Sequence, residues 1–193
     1  MASTFLGRSG TDMENRGIES QLTTELIYDG NIIKVTKDTI LLPNDRRTTR
    51  EVVEHASVVC VMPLDEDGYV HMVKQYRYAI SDVLLEVPAG GIEKGESPEE
   101  AAVRELQEEI GKYPGELIQL GGFWLTPGWC NEYMYAFLAK DLTDSKLPAD
   151  DDENIQVVKI PLSEILREVH SGLIPDAKTI ATISLGNNYL NRS

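Results

Sequence analysis

The alternation of apolar and polar positions along this chain predicts a strand-rich protein with a small number of helices. In residues 23–42, two runs rich in β-branched and aliphatic side chains flank Asp29-Gly30, a dipeptide typical of a tight hairpin turn. Residues 46–54, which follow this hairpin, are rich in charge and are interpreted as a connector.

The middle of the chain continues the strand pattern. Residues 57–77 hold two apolar runs around Asp67-Gly68 and predict a second hairpin. Residues 83–91 read as a strand that leads into a pair of glycines. Further strand candidates are residues 117–125, 133–139 and 155–160.

Two amphipathic helices are predicted near the C-terminus. Residues 162–172 show helical periodicity, with Ser163 as the expected cap, and a second helix begins at Asp176 and runs toward Leu185. Strands mixed with a few helices in this order predict an α/β domain in which helices flank a mixed sheet.

Residues 90–112, GGIEKGESPEEAAVRELQEEIGK, contain a third helix with signals at both ends. Ser97 is a natural N-cap, and Pro98 suits the first helical position. Glu100, three residues after Ser97, completes a capping box, and Gly111 is placed to end the helix. The apolar positions recur at helical spacing and predict a buried stripe: Ala102, Val103, Leu106 and Ile110.

Three carboxylates of this helix, Glu105, Glu108 and Glu109, lie three or four positions apart and project from one side. Like charges at these spacings destabilise a helix, and Arg104 is the only cation interleaved with them. A solvated acidic face is the simpler alternative. Clustered carboxylates become favourable when a hard divalent cation such as Mg²⁺ lies among them.

The segment resembles the Nudix box, the signature of hydrolases that act on nucleoside diphosphates linked to another group. Written as a pattern it is G-x5-E-x7-R-E-L-x-E-E-x-G. The fixed positions are Gly90, Glu96, Arg104, Glu105, Leu106, Glu108, Glu109 and Gly111. Eight residues at fixed spacing are far more specific than a short glycine motif. Lys112 departs from the pattern, since a bulky aliphatic residue normally stands there.

The resemblance implies a Nudix α/β/α sandwich with a mixed sheet, preceded by a small N-terminal β-hairpin or sheet segment. We expect residues 1–17 to be a disordered tail, residues 18–54 to be a β segment used for dimerisation, and residues 55–193 to be the hydrolase domain. The expected assembly is a homodimer.

Features outside the box are similar to the ADP-ribose pyrophosphatase branch of this family, which hydrolyses nucleoside diphosphate sugars. Pro127 lies in a T-P-G turn that is followed by a glutamate and a strand. Residues 74–80, 84–96 and 150–165 fit the same branch. GDP-mannose, a dinucleotide polyphosphate, or a binding-only regulatory role remain the alternatives.

The resemblance also implies a set of site residues. The metal ligands would be Glu105, Glu109, Glu108 and the Ala89 carbonyl, holding Mg²⁺ or, alternatively, Mn²⁺. Glu108 and Arg104 are assigned to the catalytic group. Intact ligand glutamates favour an enzyme over a binding-only protein.

Four residues are candidates for substrate contact. Arg77 offers a planar fork for phosphate, with a surface salt bridge as the alternative. Glu132 follows the Pro127 turn and could contact substrate. Tyr28 and Trp129 could stack on adenine, although core packing is the usual role of an isolated aromatic residue.

The general base is expected in residues 150–153, an acidic run before the last strand. The branch resemblance points to Glu153, with Asp152 or a merely solvated loop as alternatives.

Composition limits the partners. The chain has 193 residues and a formal net charge of −14, which argues against nucleic-acid backbones and anionic membranes as partners. Two cysteines without metal-ligand spacing, no apolar run of transmembrane length and no signal-peptide core predict a cytoplasmic protein.

Overall fold

The computed structural model describes residues 17–148 and 154–192. The chain divides into two compact units, Met1–Glu54 and His55–Ser193.

The first unit is built on a three-stranded sheet in the order β1-β2-β3. Its strands are β1 (Ser20–Asp29), β2 (Ile33–Leu41) and β3 (Arg47–His55). The hairpin predicted around Asp29-Gly30 is confirmed, with Asp29 opposite Lys34. The prediction of a connector at residues 46–54 is wrong. The prediction gave weight to the charged residues of this segment and not to its β-branched residues, which favour an extended backbone: Thr48, Thr49, Val52 and Val53.

The second unit contains two sheets. One has the order β10-β5-β6 and the other the order β7-β4-β9-β8. The strands are β4 (Val58–Pro63), β5 (Tyr69–Arg77), β6 (Asp82–Glu86), β7 (Ala89–Gly91), β8 (Lys112–Trp124), β9 (Tyr133–Asp144) and β10 (Ile155–Pro161). The helices are α1 (Pro98–Glu109), α2 (Leu162–Ser171) and α3 (Ala177–Leu190), with a 3₁₀ turn at Tyr78–Ile80.

Strand β4 is the centre of the second unit and is buried along its whole length. It pairs in parallel with β9 and antiparallel with β7, so its sheet is mixed. Because successive side chains of a strand point to opposite faces, β4 contributes to two cores. Cys60 and Met62 pack with residues of α2 and α3, whereas Val59 and Val61 pack with residues of α1. Helices therefore cover both faces, as the predicted α/β/α sandwich requires.

Two strand predictions need correction. The turn predicted at Asp67-Gly68 is present, since Gly68 donates its N–H to the Asp65 carbonyl, but β4 and β5 do not pair as a hairpin. They enter different sheets, and among the described residues the bridge Leu64–Val70 is the link between them. Residues 83–91 form two short strands, β6 and β7. Pro88, which lacks an N–H, separates them and interrupts the ladder.

The two C-terminal helices start differently. Asp176 caps α3 as predicted, since its side chain accepts from the Thr179 N–H at 3.0 Å. Ser163 does not cap α2. That helix begins directly after β10 with Pro161 at the N-cap position, and Leu162 N–H bonds to the Gly68 carbonyl at 3.1 Å.

Candidate active site

Helix α1 carries the acidic cluster and is fixed at both ends by the predicted signals. Ser97 Oγ accepts from Glu100 N–H at 3.2 Å, and the Glu100 carboxylate accepts from Ser97 N–H at 2.8 Å. Gly111, just past the last turn, has a φ of 66°, the left-handed conformation that favours glycine. Ala102 and Leu106 on the inner face are fully buried. The outer carboxylates are therefore held on a rigid support.

Arg104 joins the acidic residues into one network. Its guanidinium donates to both oxygens of Glu96, at 2.9 and 3.1 Å. Its Nη1 donates to Glu105 at 2.7 Å and to Glu108 at 2.8 Å, and its Nη2 donates to the Gly91 carbonyl at 2.8 Å. The hydrogen bond from Arg104 lowers the pKa of Glu96. The bonds to Glu96, Glu105 and Glu108 in turn raise the pKa of Arg104.

Gly90 and Ala89 lie against the carboxylates of Glu105 and Glu109, respectively. Glu109 Oε2 accepts from the Ala89 N–H at 3.2 Å. A Cβ at Gly90 would overlap the Glu105 carboxylate, so the backbone approaches the acid as closely as only glycine permits. Glu105 and Glu109 are both buried, at 7% and 8% exposure. Two buried carboxylates at one loop are costly unless they are paired with hydrogen-bond donors or a cation.

Arg77 lies at the end of β5 and makes a two-point contact with a buried acid. Its Nε donates to Glu86 Oε1 at 2.8 Å and its Nη2 to Glu86 Oε2 at 2.6 Å. Lys178 contacts the same Glu86 oxygen and also Asp176, at 3.0 Å. The hydrogen bonds to Glu86 raise the pKa of Arg77, and the charge of Glu109 acts in the same direction. Arg77 is therefore within electrostatic range of the acidic cluster.

The Pro127 turn carries two further candidates. Cys130 N–H bonds to the Thr126 carbonyl at 3.0 Å and closes the turn. Trp129 is 55% exposed, so it is not a core residue. Glu132 lies 3.8 Å from His55 Nδ1, an ion pair when that imidazole is protonated.

Comparison with known proteins identifies the family to which this fold and acidic helix belong. Residues 53–181 match the model of the NUDIX domain. The chain belongs to the Nudix family.

Individual Nudix relatives cover most of the chain. An ADP-ribose pyrophosphatase of Bacillus subtilis (strain 168) is 36% identical over 167 residues, 86% of this chain and 90% of the relative. A methanol dehydrogenase activator of Bacillus methanolicus is 34% identical over the same shares. The crystal structure of an ADP compounds hydrolase superposes with a TM-score of 0.82 at 23% identity, covering 90% of this chain and 94% of that one.

Nudix enzymes generally use divalent metal ions, and the donor chemistry of this site fits such a group. Three carboxylates on adjacent turns, beside a glycine that leaves room for close approach, supply the oxygen ligands that hard cations prefer. Within residues 17–148 and 154–192, no three acidic, histidine or cysteine side chains are already gathered around one point. Glu105 and Glu108 instead share Arg104.

The structure brings several predicted site residues of the second unit into contact. Arg104, Glu105 and Glu108 are in direct contact, and Ala89 contacts Glu109. Arg77, Glu132 and Trp129 lie in the same unit as the Nudix box. Tyr28 lies in the first unit, on β1, and is 56% exposed. Glu153 lies outside the described residues.

Sequence reasoning missed Glu86, Lys178 and Asp176 as neighbours of Arg77. One feature of the sequence pointed to them: Glu86 lies between the apolar pair Leu84-Leu85 and Val87. A carboxylate buried in such a strand needs a cation or a hydrogen-bond donor as its partner. Lys178 is 92 residues away from Glu86, so no local pattern could identify it as that partner.

Among the described residues, no helix combines the length and apolar character needed to cross a membrane.

Proposed function

We propose that this protein hydrolyses the pyrophosphate bond of ADP-ribose or a related nucleoside diphosphate sugar and releases a nucleoside monophosphate and a sugar phosphate. The observation that carries the proposal is the Nudix helix α1, on which Arg104 binds Glu105 and Glu108, while Glu105 lies against Gly90 and Glu109 bonds to the Ala89 N–H. The name of the Bacillus subtilis relative supports the choice of substrate.

The proposed metal is Mg²⁺, with Mn²⁺ as the alternative. Glu105, Glu108, Glu109 and the Ala89 carbonyl would hold it. When bound, such an ion neutralises charge on phosphoryl oxygens and lowers the pKa of a coordinated water. The protein residues prepare this site, because Arg104 holds Glu105 and Glu108 and Gly90 leaves space beside Glu105.

The remaining residues receive roles toward substrate. Arg77 is proposed to donate hydrogen bonds to the pyrophosphate, since its two-point contact with Glu86 fixes the plane of the guanidinium. Trp129 and Glu132 are proposed to contact substrate from the Pro127 turn. Trp129 has an exposed ring on which a base could stack.

Glu153 is the proposed general base. A carboxylate bound to a metal ion has its lone pairs engaged, so the acids of the Nudix box are poor proton acceptors. A separate carboxylate is therefore needed near the attacking water.

The protein is also proposed to be a cytoplasmic homodimer in which Tyr28 of the first unit contributes to substrate binding. All ten residues of β1 are exposed in the single chain, including Leu22, Leu26 and Tyr28. Such a strand gains stability when a second chain covers it.

A panel of ADP-ribose, other ADP-sugars, GDP-mannose and a dinucleotide polyphosphate tests the proposal, with Mg²⁺ or Mn²⁺ present and released phosphomonoester as the readout. We expect AMP and ribose 5-phosphate from ADP-ribose, and loss of activity in EDTA. Preferential turnover of GDP-mannose or the dinucleotide would reassign the substrate. No turnover of any compound with either metal would overturn the proposal.

A further inference from the structure

The charged cluster behind Arg77 extends over three elements of the second unit. Glu86, at the end of β6, is 1% exposed. It accepts hydrogen bonds from Arg77 on β5 and from Lys178 on α3. Lys178 also contacts Asp176, whose carboxylate caps α3. Two cations and two anions are thus joined with no net charge.

The cluster is connected to the backbone that leads into the glycine loop. Thr179 Oγ1 donates to Asp176 at 2.5 Å and accepts from the Val87 N–H at 2.9 Å. Val87 lies two residues before Ala89. The start of α3 therefore braces both the acid that holds Arg77 and the strand that carries Ala89.

Glu86 is a costly residue to bury, which argues for a specific role. Burial acts to raise the pKa of Glu86, but the bonds and charges of Arg77 and Lys178 outweigh it, so the pKa lies below its ordinary value. Replacing a buried ion cluster by apolar residues is often neutral or stabilising, so stability alone is a weak reason for it.

The two ends of the cluster differ in exposure. The side chain of Lys178 is 12% exposed, whereas that of Arg77 is 40% exposed. Glu86 occupies the Nε and Nη2 groups of Arg77, so the opposite, Nη1 edge of the guanidinium is directed away from Glu86. The Nε–Nη2 edge of the Arg77 guanidinium is therefore held by Glu86, while part of the side chain is exposed to solvent.

We propose that Glu86 is a positioning residue that fixes the Arg77 guanidinium toward the pyrophosphate of the substrate, with Lys178 as the countercharge that keeps Glu86 in place. This rests on the proposed function, because Arg77 is assigned to phosphate there. Without Glu86, Arg77 keeps its charge but loses its fixed orientation.

A double-mutant cycle on KM for ADP-ribose tests the inference. Arg77→Lys should raise KM by about ten- to a hundred-fold, the loss expected from a charge-assisted hydrogen bond. Glu86→Gln should raise KM by a similar factor, since a carboxamide offers the guanidinium one acceptor oxygen in place of two. If Glu86 acts through Arg77, the double variant should be no worse than Arg77→Lys alone.

Glu86→Asp covers the case in which Glu86→Gln does not fold. It keeps the charge and withdraws the carboxylate by one methylene group, so KM should again rise while the thermal transition stays sharp. Lys140→Met, which removes an exposed cation paired with Glu116 on another strand, is the matched control and should leave KM unchanged.

The outcomes separate the two proposals. A wild-type protein without activity on the substrate panel overturns the proposed function. In that case binding of ADP to the wild type and the same variants tests Glu86 directly. If the wild type is active, two results overturn the positioning role alone. One is an unchanged KM in Glu86→Asp. The other is a KM in the double variant that is raised by the product of the two single-variant factors.

Discussion

At the scale of single residues, Glu105, Glu108 and Glu109 of α1 belong to one motif but have different hydrogen-bond partners. Glu105 and Glu108 share one nitrogen of Arg104, whereas Glu109 turns to the Ala89 N–H. Their substitution should therefore have unequal effects. Glu109 is buried and bonded to the backbone of Ala89, whose carbonyl is a proposed ligand, so it is the position tested first.

Glu109→Gln keeps the shape of the side chain and removes one charge from the proposed metal site. We expect kcat to fall by at least about a hundred-fold, since transition-state charge stabilisation of this kind contributes several kcal/mol. The measurement is kcat over a range of Mg²⁺ concentrations. Lys112→Leu is the control, because the ammonium group of Lys112 pairs with exposed Asp144 and not with the acids of the proposed metal site. Normal activity and metal dependence in Glu109→Gln would exclude Glu109 as a ligand.

Glu153→Gln tests the proposed general base. We expect kcat to fall by at least about a hundred-fold, the usual scale for loss of a general base, with little change in KM or in the Mg²⁺ dependence. Asp152→Asn is the matched comparison within the same acidic run. If Asp152→Asn shows the large loss and Glu153→Gln does not, the assignment moves by one residue.

At the scale of elements, α1 was predictable because every signal that defines it is local. The capping box, the proline and the terminal glycine lie within 15 residues, Ser97 to Gly111, and each forms the predicted contact or conformation. The strands were harder to predict. Strand β3 was missed because charged residues surround its two β-branched pairs. Strands β4 and β5 were paired in error because a turn between two strands does not determine which sheet each strand enters.

Ser97→Ala should destabilise this element without changing its chemistry. Removing the N-cap hydroxyl leaves the Glu100 N–H without its acceptor and should lower the free energy of unfolding by about 1 kcal/mol. Urea denaturation gives this difference. Ser184→Ala is the control, because the Ser184 hydroxyl bonds to the Ile180 carbonyl within α3 and alanine favours a helix. Equal destabilisation by both changes would argue against a special role for the cap.

The residues of the candidate site also differ in whether local sequence signals or tertiary contacts place them. The acidic cluster of α1 could be identified from spacing, since its residues share one helix, and the resemblance to the Nudix box supplied their expected roles and that of Ala89. The cluster of Glu86 with Lys178 could not, because it depends on how β6 and α3 meet in space. The placement of Glu132 beside His55 is likewise a tertiary contact between distant segments.

At the scale of the whole molecule, the exposed apolar residues of the first unit predict self-association. Light scattering at micromolar concentration should give the mass of a dimer. Leu26→Lys places a charge at a position that is 56% exposed and apolar, and it should shift the mass toward a monomer. Thr23→Lys, at a polar exposed position of the same strand, should leave the dimer intact. A monomeric wild type would contradict the proposed assembly.

The parallel pairing of β4 with β9 also determines when the second unit can fold during synthesis. Cys60 and Tyr135, which lie on these neighbouring strands, are 75 residues apart. Contacts this distant slow folding, because a long loop must close before pairing can stabilise it. A nascent chain that ends at Trp124 already contains α1 with both of its terminal signals, yet Val59 and Val61 still lack Phe137. The acidic helix can therefore form early on the ribosome, while the sheet that supports it is completed only after β9 emerges.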